Sequence, residues 1–127
     1  MGNAALAARQ RTQADSADLT RLCEEMETVA DDPEAFAARD SEFHRRLSQT
    51  THNPLLILLL DSIQTMTAEV RALVSRRPRL FDRVMPGHIR ILDCVLAQDP
   101  EGARAAMREH LDTALAIQRE LIRDRTD

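Results

Sequence analysis

Residues 33–50 read PEAFAARDSEFHRRLSQT, and this stretch decides the fold. Phe36 and Phe43 are separated by seven residues, or two helical turns, so they share one face of an α-helix. Asp40 and His44 fall on the same face, four residues apart. A buried polar group without a partner costs about 1–3 kcal/mol. The stretch therefore predicts a helix that packs on a core and carries a carboxylate and an imidazole into it.

The helix starts elsewhere in the chain share a simple chemistry. Three of them pair an Asp or Asn, which caps free backbone amides, with a proline that fits the first turn: Asp32-Pro33, Asn53-Pro54 and Asp99-Pro100. Thr12 with Asp15 three residues later has the spacing of a capping box. We predict helices at about 3–11, 13–30, 33–50, 54–75, 82–98 and 100–124, with Pro86-Gly87 either kinking the fifth or marking its start.

The composition agrees with an all-α fold. The 127 residues include 43% apolar residues and 30% charged residues, but only 2% aromatic residues, 3 Gly and 5 Pro. A β-sandwich or barrel would need more turn residues and more aromatic or β-branched strands. We expect one domain over 1–127, a single antiparallel helical bundle of about six helices. The first helix has barely two turns, so we expect it to be cut short or held by a partner.

Charge and hydropathy exclude several classes of protein. The longest apolar run, Leu55 to Leu60, is far shorter than the roughly 20 residues of a membrane span. Cys23 and Cys94 form no metal-binding CxxC pair, and we expect reduced thiols in a cytoplasmic protein. The net charge is −4, which does not favour nucleic-acid binding by this chain. One basic patch, interpreted as a solvated loop, comprises Arg76, Arg77, Arg79 and Arg83.

Two further histidines lie on helix faces where apolar side chains are expected. His88 precedes Ile91 and Val95 at helical spacing, and His110 lies beside Leu111. Each could bond a backbone carbonyl on its own, or these groups could meet at a divalent metal ion, because imidazole and carboxylate suit such ions. We assign the fourth histidine, His52, to turn or surface structure.

Residues 54–75 are apolar on nearly all sides, which predicts a buried central helix. One polar strip interrupts that surface, because Gln64, Thr67 and Arg71 follow the helical steps of three and four. We interpret the strip as part of an effector cavity in which Arg71 binds a carboxylate. A solvated helix edge is the alternative.

These elements resemble a known family when they are taken in order. The pattern resembles the FCD domain, the ligand-sensing carboxy-terminal domain of GntR-type transcription regulators of the FadR subfamily. Its elements here are Asp40-x-x-Phe43-His44, Asn53, His88-x-x-Ile91, and Asp99 with Ala103, Met107, His110 and Leu111. The resemblance implies six or seven helices around a buried metal and effector cavity. It also implies a metal bound by Asp40, His44, His88 and His110, and a small organic acid effector. Among divalent transition metals we expect zinc, with nickel, manganese, iron or cobalt as alternatives.

The resemblance further implies a homodimer, built with the first and central helices, that relays effector binding to DNA. Family members carry a winged helix-turn-helix, and residues 1–127 contain no such pattern, so we expect no operator binding by this chain alone. We predict that the protein is not an enzyme. A metal-dependent hydrolase is an alternative, with Glu42, Glu69 or Glu109 as the base, although HExxH and G-x-S-x-G are absent. A metal-free dimerisation module is another.

Overall fold

The computed structural model describes residues 2–126, with side chains through residue 124. This range contains seven helices and no strand, which confirms the all-α class. The helices are α1 (Gly2–Gln10), α2 (Gln13–Thr28), α3 (Pro33–Gln49), α4 (Pro54–Met66), α5 (Ala68–Val74), α6 (Leu80–Leu96) and α7 (Pro100–Thr126).

The predicted caps are present. Asp32 accepts a hydrogen bond from the Ala35 amide at 3.2 Å, and Asn53 accepts one from the Leu56 amide at 3.1 Å. Asp99 likewise accepts from the backbone N–H of Gly102 at 3.0 Å. Thr12 and Asp15 form both hydrogen bonds of a capping box at the start of α2. Local side-chain chemistry therefore sets these four helix boundaries.

The predicted helix over 54–75 is wrong in one respect, because it is two helices separated at Thr67. The Thr67 hydroxyl donates to the carbonyl of Ile63 at 2.9 Å. The carbonyl of Gln64 accepts a hydrogen bond from the Arg71 guanidinium at 2.7 Å. Side-chain donors thus bond backbone carbonyls at this point and compete with the hydrogen bonds of the helix. The same competition disfavours threonine inside helices. The break raises the helix count from about six to seven.

The prediction that this region is a buried central helix is also wrong. No residue of α4 is buried, and α4 packs mainly on α3 and α5. Its outward face carries a stripe of exposed apolar side chains, which we call the α4 stripe: Leu55, Leu58, Leu59 and Met66. A helix with apolar residues on all sides is expected to be covered on all sides. In this structure the other helices of the chain cover only part of α4.

The core lies between the other helices. α6 packs along α7, and α1 docks on both of them through buried alanines. α6 begins two residues earlier than predicted, at Leu80, after Arg79 adopts a left-handed φ of 56°. Pro86 lies inside α6 and does not mark its start. Within the described residues, no helix combines the length and hydropathy of a membrane span.

Candidate metal and effector cavity

Three helices bring three histidines to one point in the core. His44 comes from α3, His88 from α6 and His110 from α7. Each offers one ring nitrogen, and these three nitrogens all lie within 4.8 Å of one another. His88 and His110 are buried, with 1% and 8% of their surface exposed. The helical pattern predicted their inward orientation, but the sequence could not show that the three helices meet there.

Asp40 lies beside this cluster. Its Oδ1 is 3.2 Å from Nε2 of His44 and 2.9 Å from Nε2 of His88. Yet Asp40 Oδ1 and His88 Nε2 make no well-oriented hydrogen bond to any described residue, and Nδ1 of His88 and of His110 has no such partner either. Unpaired buried polar atoms are rare in native proteins. Asp40, His88 and His110 thus carry unpaired buried atoms beside the imidazole of His44, and a carboxylate with three imidazoles is a donor set that fits a divalent transition metal.

Burial and the neighbouring charges determine the protonation of these groups. Burial, together with the smaller effects of the neighbouring His88 and His44, lowers the pKa of His110 from 6.5 to about 3. For Asp40, burial would raise the pKa, but His44 and His88 outweigh burial and hold it well below its usual range. His110 is therefore neutral and Asp40 is ionised at neutral pH. These are the protonation states that metal binding requires.

Aromatic packing orients the imidazoles. The rings of His44 and His110 stack at 5.2 Å with 21° between their planes. Phe43 meets His88 edge to face at 5.3 Å. At Gly87, an added Cβ would lie 3.3 Å from Nδ1 of His110, so the absence of a side chain lets this ring lie close against α6. The three rings are consequently fixed by their neighbours.

The cluster forms one end of a cavity of about 240 Å³. Gln64, Thr67 and Arg71 line the same cavity, so the structure brings together both predicted groups of site residues. Its walls also include Ile63 and Leu111, which are partly exposed. Gln118 of α7 lines the cavity as well. Sequence reasoning missed it, because one glutamine on a long helix gives no distinctive signal.

Arg71 is held in place by three hydrogen bonds. Its Nε donates to the hydroxyl of Ser41 on α3 at 3.1 Å, and Nη1 donates to the hydroxyl of Thr67 at 2.5 Å. Nη2 donates to the backbone carbonyl of Gln64 at 2.7 Å. A guanidinium has five N–H donors, so each terminal nitrogen retains one further N–H. Ser41 was not predicted, because its role depends on how α3 and α5 pack.

The remaining polar motifs lie outside the cavity. His52 occupies the turn after α3, as predicted, and its Nε2 lies 2.7 Å from Oδ2 of Asp15. The proposed bases Glu42, Glu69 and Glu109 do not line the cavity.

The basic patch between α5 and α6 is largely paired with acids. Arg76 binds Glu34, Arg77 binds Glu120 and Asp124, and Arg83 binds Glu120. Arg77 and Glu120 are only 20% and 25% exposed, so the patch is partly packed against α7 and is not the fully solvated loop that was predicted, and its paired charges do not form a nucleic-acid surface.

The structure is a helical bundle with a cavity that is lined by both predicted groups of site residues. Residues 1–113 match the FCD domain family, and the chain belongs to it.

Similar proteins are named as regulators of transcription. A protein of Escherichia coli (strain K12) named for regulation of the L-lactate dehydrogenase operon is 30% identical over 95 residues, which cover 72% of this chain and 36% of that protein. The Glc operon transcriptional activator of the same strain is 32% identical over 120 residues, covering 87% and 47%. The HTH-type transcriptional regulator LutR of Bacillus subtilis (strain 168) is 32% identical over 117 residues, covering 87% and 53%.

The chain thus spans between about a third and a half of the length of these relatives. The expected resemblance to GntR-type regulators is confirmed, and the three relatives are themselves named as regulators.

Proposed function

We propose that residues 1–127 form the effector-sensing domain of a GntR-type transcription regulator of the cytoplasm. In this proposal the cavity binds one divalent transition metal ion, zinc foremost, through Asp40, His44, His88 and His110. It binds a small carboxylic acid as effector between that ion and Arg71. DNA binding belongs to a winged helix-turn-helix elsewhere in the regulator, and two copies pair to recognise two half-sites.

One observation carries the metal proposal. Four buried polar atoms on Asp40, His88 and His110 lack a well-oriented hydrogen bond within the described residues, and all three side chains face one cavity. A bound divalent ion supplies a positive charge to which a carboxylate effector can bind. The chain's own residues hold the donors in fixed orientations through Phe43 and the stacked imidazoles.

Arg71 supports the effector proposal. Its three internal hydrogen bonds fix the guanidinium at the cavity wall, and its two remaining N–H groups can bind both oxygens of a carboxylate. The cavity of about 240 Å³ lies below the usual range for drug-sized ligands, which favours a molecule of a few carbon atoms. One relative is named for an L-lactate dehydrogenase operon, so L-lactate is a suitable first probe.

The metal is tested by titrating metal-free protein with Zn²⁺, Ni²⁺ and Mn²⁺ in a calorimeter. We expect about one ion per chain and a higher melting temperature, since an ion at 100 times its Kd adds about 2.7 kcal/mol to stability. His88→Ala should abolish binding, whereas His52→Ala, a histidine outside the cavity, should retain it. Equal binding by both variants, or none by the unchanged protein, would refute the site and favour a metal-free module.

The effector site is tested on metal-loaded protein with L-lactate and other short carboxylic acids. Arg71→Lys cannot bind both oxygens of a carboxylate in a bidentate pair, so it should weaken effector binding about tenfold, which corresponds to about 1.4 kcal/mol. Arg104→Lys, an exposed position on α7, is the matched control. If Arg71→Lys leaves effector binding as strong as the control does, Arg71 is a structural residue only.

The α4 stripe supports the homodimer. Its exposed leucines and methionine form an apolar surface that a second copy would cover. The hydrolase alternative receives no such support, because none of the three proposed glutamates lines the cavity.

A further inference from the structure

The connection between α1 and α2, residues 9–16, which we call the α1–α2 joint, is hydrogen-bonded to the C-terminal end of α6, the helix that carries His88. Arg11 donates from Nη2 to the carbonyl of Leu96 at 2.6 Å and from Nε to the carbonyl of Val95 at 3.4 Å. Both carbonyls belong to the last turn of α6, whose negative end attracts a cation, and the Val95 carbonyl also accepts from the Gln98 amide at 3.0 Å. Arg11 therefore fixes the joint to the helix that carries His88.

Four residues further along, the same joint is bonded to the end of α3. Asp15 is 2% exposed, and its Oδ1 accepts a hydrogen bond from Arg46 Nη2 at 2.6 Å. Its Oδ2 lies 2.7 Å from Nε2 of His52 in the turn that follows α3. Asp15 thus ties the joint to the helix that carries Asp40 and His44.

These two attachments act on the helices that supply three of the four proposed metal ligands. His44 lies two residues before Arg46, and His88 lies seven residues before Val95, a distance of about 10 Å along the helix. A helix of this length moves as a rigid rod, so a shift at its end is transmitted to its ligand. The position of the joint and the separation of the ligands are therefore mechanically connected.

We infer that Arg11 and Asp15 are positioning residues that couple the α1–α2 joint to the metal site. This inference rests on the proposed function, because it requires that the cavity bind a metal. Coupling between two sites is reciprocal, so a joint that sets the spacing of the ligands must itself respond when an ion draws the ligands together. Metal binding should consequently stabilise residues 9–16, which do not line the cavity.

The test measures zinc affinity and backbone hydrogen exchange on the full chain. In the unchanged protein, we expect zinc to slow exchange in a peptide that covers residues 9–16. Arg11→Ala should weaken zinc binding about fivefold with about one ion still bound per chain, and should remove the protection of the joint. Arg21→Ala is the matched control, because Arg21 lies on α2, is exposed, and forms its ion pair in the described part of the chain with Glu25 of the same helix.

A second variant separates coupling from loss of folding. Arg11→Lys keeps the charge and a donor for one carbonyl, so it should restore part of the zinc affinity and of the protection. A purely structural Arg11 would lower the melting temperature of Arg11→Ala but leave its zinc affinity equal to that of Arg21→Ala, and that result would overturn the inference.

The inference and the proposed function fail in different ways. If the unchanged protein binds zinc and exchange in residues 9–16 does not respond, only the coupling is refuted. If the unchanged protein binds none of the three metals, the proposed function is refuted and the coupling with it.

Discussion

At the scale of single residues, Asp15 shows how one carboxylate can serve several partners. It closes the capping box with Thr12 and also contacts Arg46 and His52. Burial alone would raise its pKa, but the Thr12 amide, His52 and Arg46 together lower it to about 2 from an ordinary 3.8. A buried acid with this many partners stabilises the fold only while it is ionised.

This pKa predicts how acid affects stability. Because the folded pKa lies below the unfolded value, the contribution of Asp15, about 2 kcal/mol, is complete above pH 3.8 and is lost as the pH falls through 2. Asp15→Asn should therefore lower the free energy of unfolding most near pH 6, and the difference from the unchanged protein should shrink between pH 4 and 2. Urea denaturation at several pH values measures it, and a difference independent of pH would contradict this assignment.

At the scale of elements, α4 depends on local chemistry more than any other long helix. None of its residues is buried, so its first turn depends on the cap from Asn53. Asn53→Ala should destabilise α4 by about 1 kcal/mol. The expected result is faster hydrogen exchange in residues 54–60 with little change in the core of α6.

Asn53→Asp provides the comparison for this prediction, since it retains a side-chain oxygen that can accept from the Leu56 amide. Exchange rates in α4 should then stay close to those of the unchanged protein. If both variants exchange equally fast, the cap is not what holds the first turn of α4.

At the scale of the whole molecule, the α4 stripe predicts association. Leu59 is 57% exposed, and Leu59→Glu would place a charge in the surface that two copies would bury in the proposed dimer. Sedimentation should show a dimer for the unchanged protein and a monomer for Leu59→Glu. Ala105→Glu, at an exposed position on α7, should remain dimeric. If the unchanged protein sediments as a monomer, this role of α4 is contradicted.

The sequence predicted those features that depend on neighbouring residues. The caps at Asp32, Asn53 and Asp99 and the inward faces of His88 and His110 follow from local spacing, and the structure has them. The all-α class follows from the same patterns. These features need no knowledge of the tertiary structure.

The features that sequence reasoning missed depend on packing between distant segments. The break at Thr67 uses Arg71 as a donor, and Arg71 is itself held by Ser41, 30 residues away. The exposure of α4 depends on what lies beside it, and an apolar helix has the same sequence whether its own chain or a second chain covers it. The roles of Asp15 and Arg11 likewise require the end of α3 to lie beside Asp15 and the end of α6 to lie beside Arg11.

Gly87 has a consequence for attempts to engineer this protein. Glycine inside a helix lowers stability by about 1 kcal/mol relative to alanine, so a screen for heat resistance would favour Gly87→Ala once the ring of His110 has moved enough to admit the added methyl group. The added methyl group would lie 3.3 Å from Nδ1 of His110 and would push that ring away from α6. Selection for heat resistance alone would thus favour a more stable domain in which the imidazole of His110 is displaced. A library should therefore be screened for ligand response from its first round.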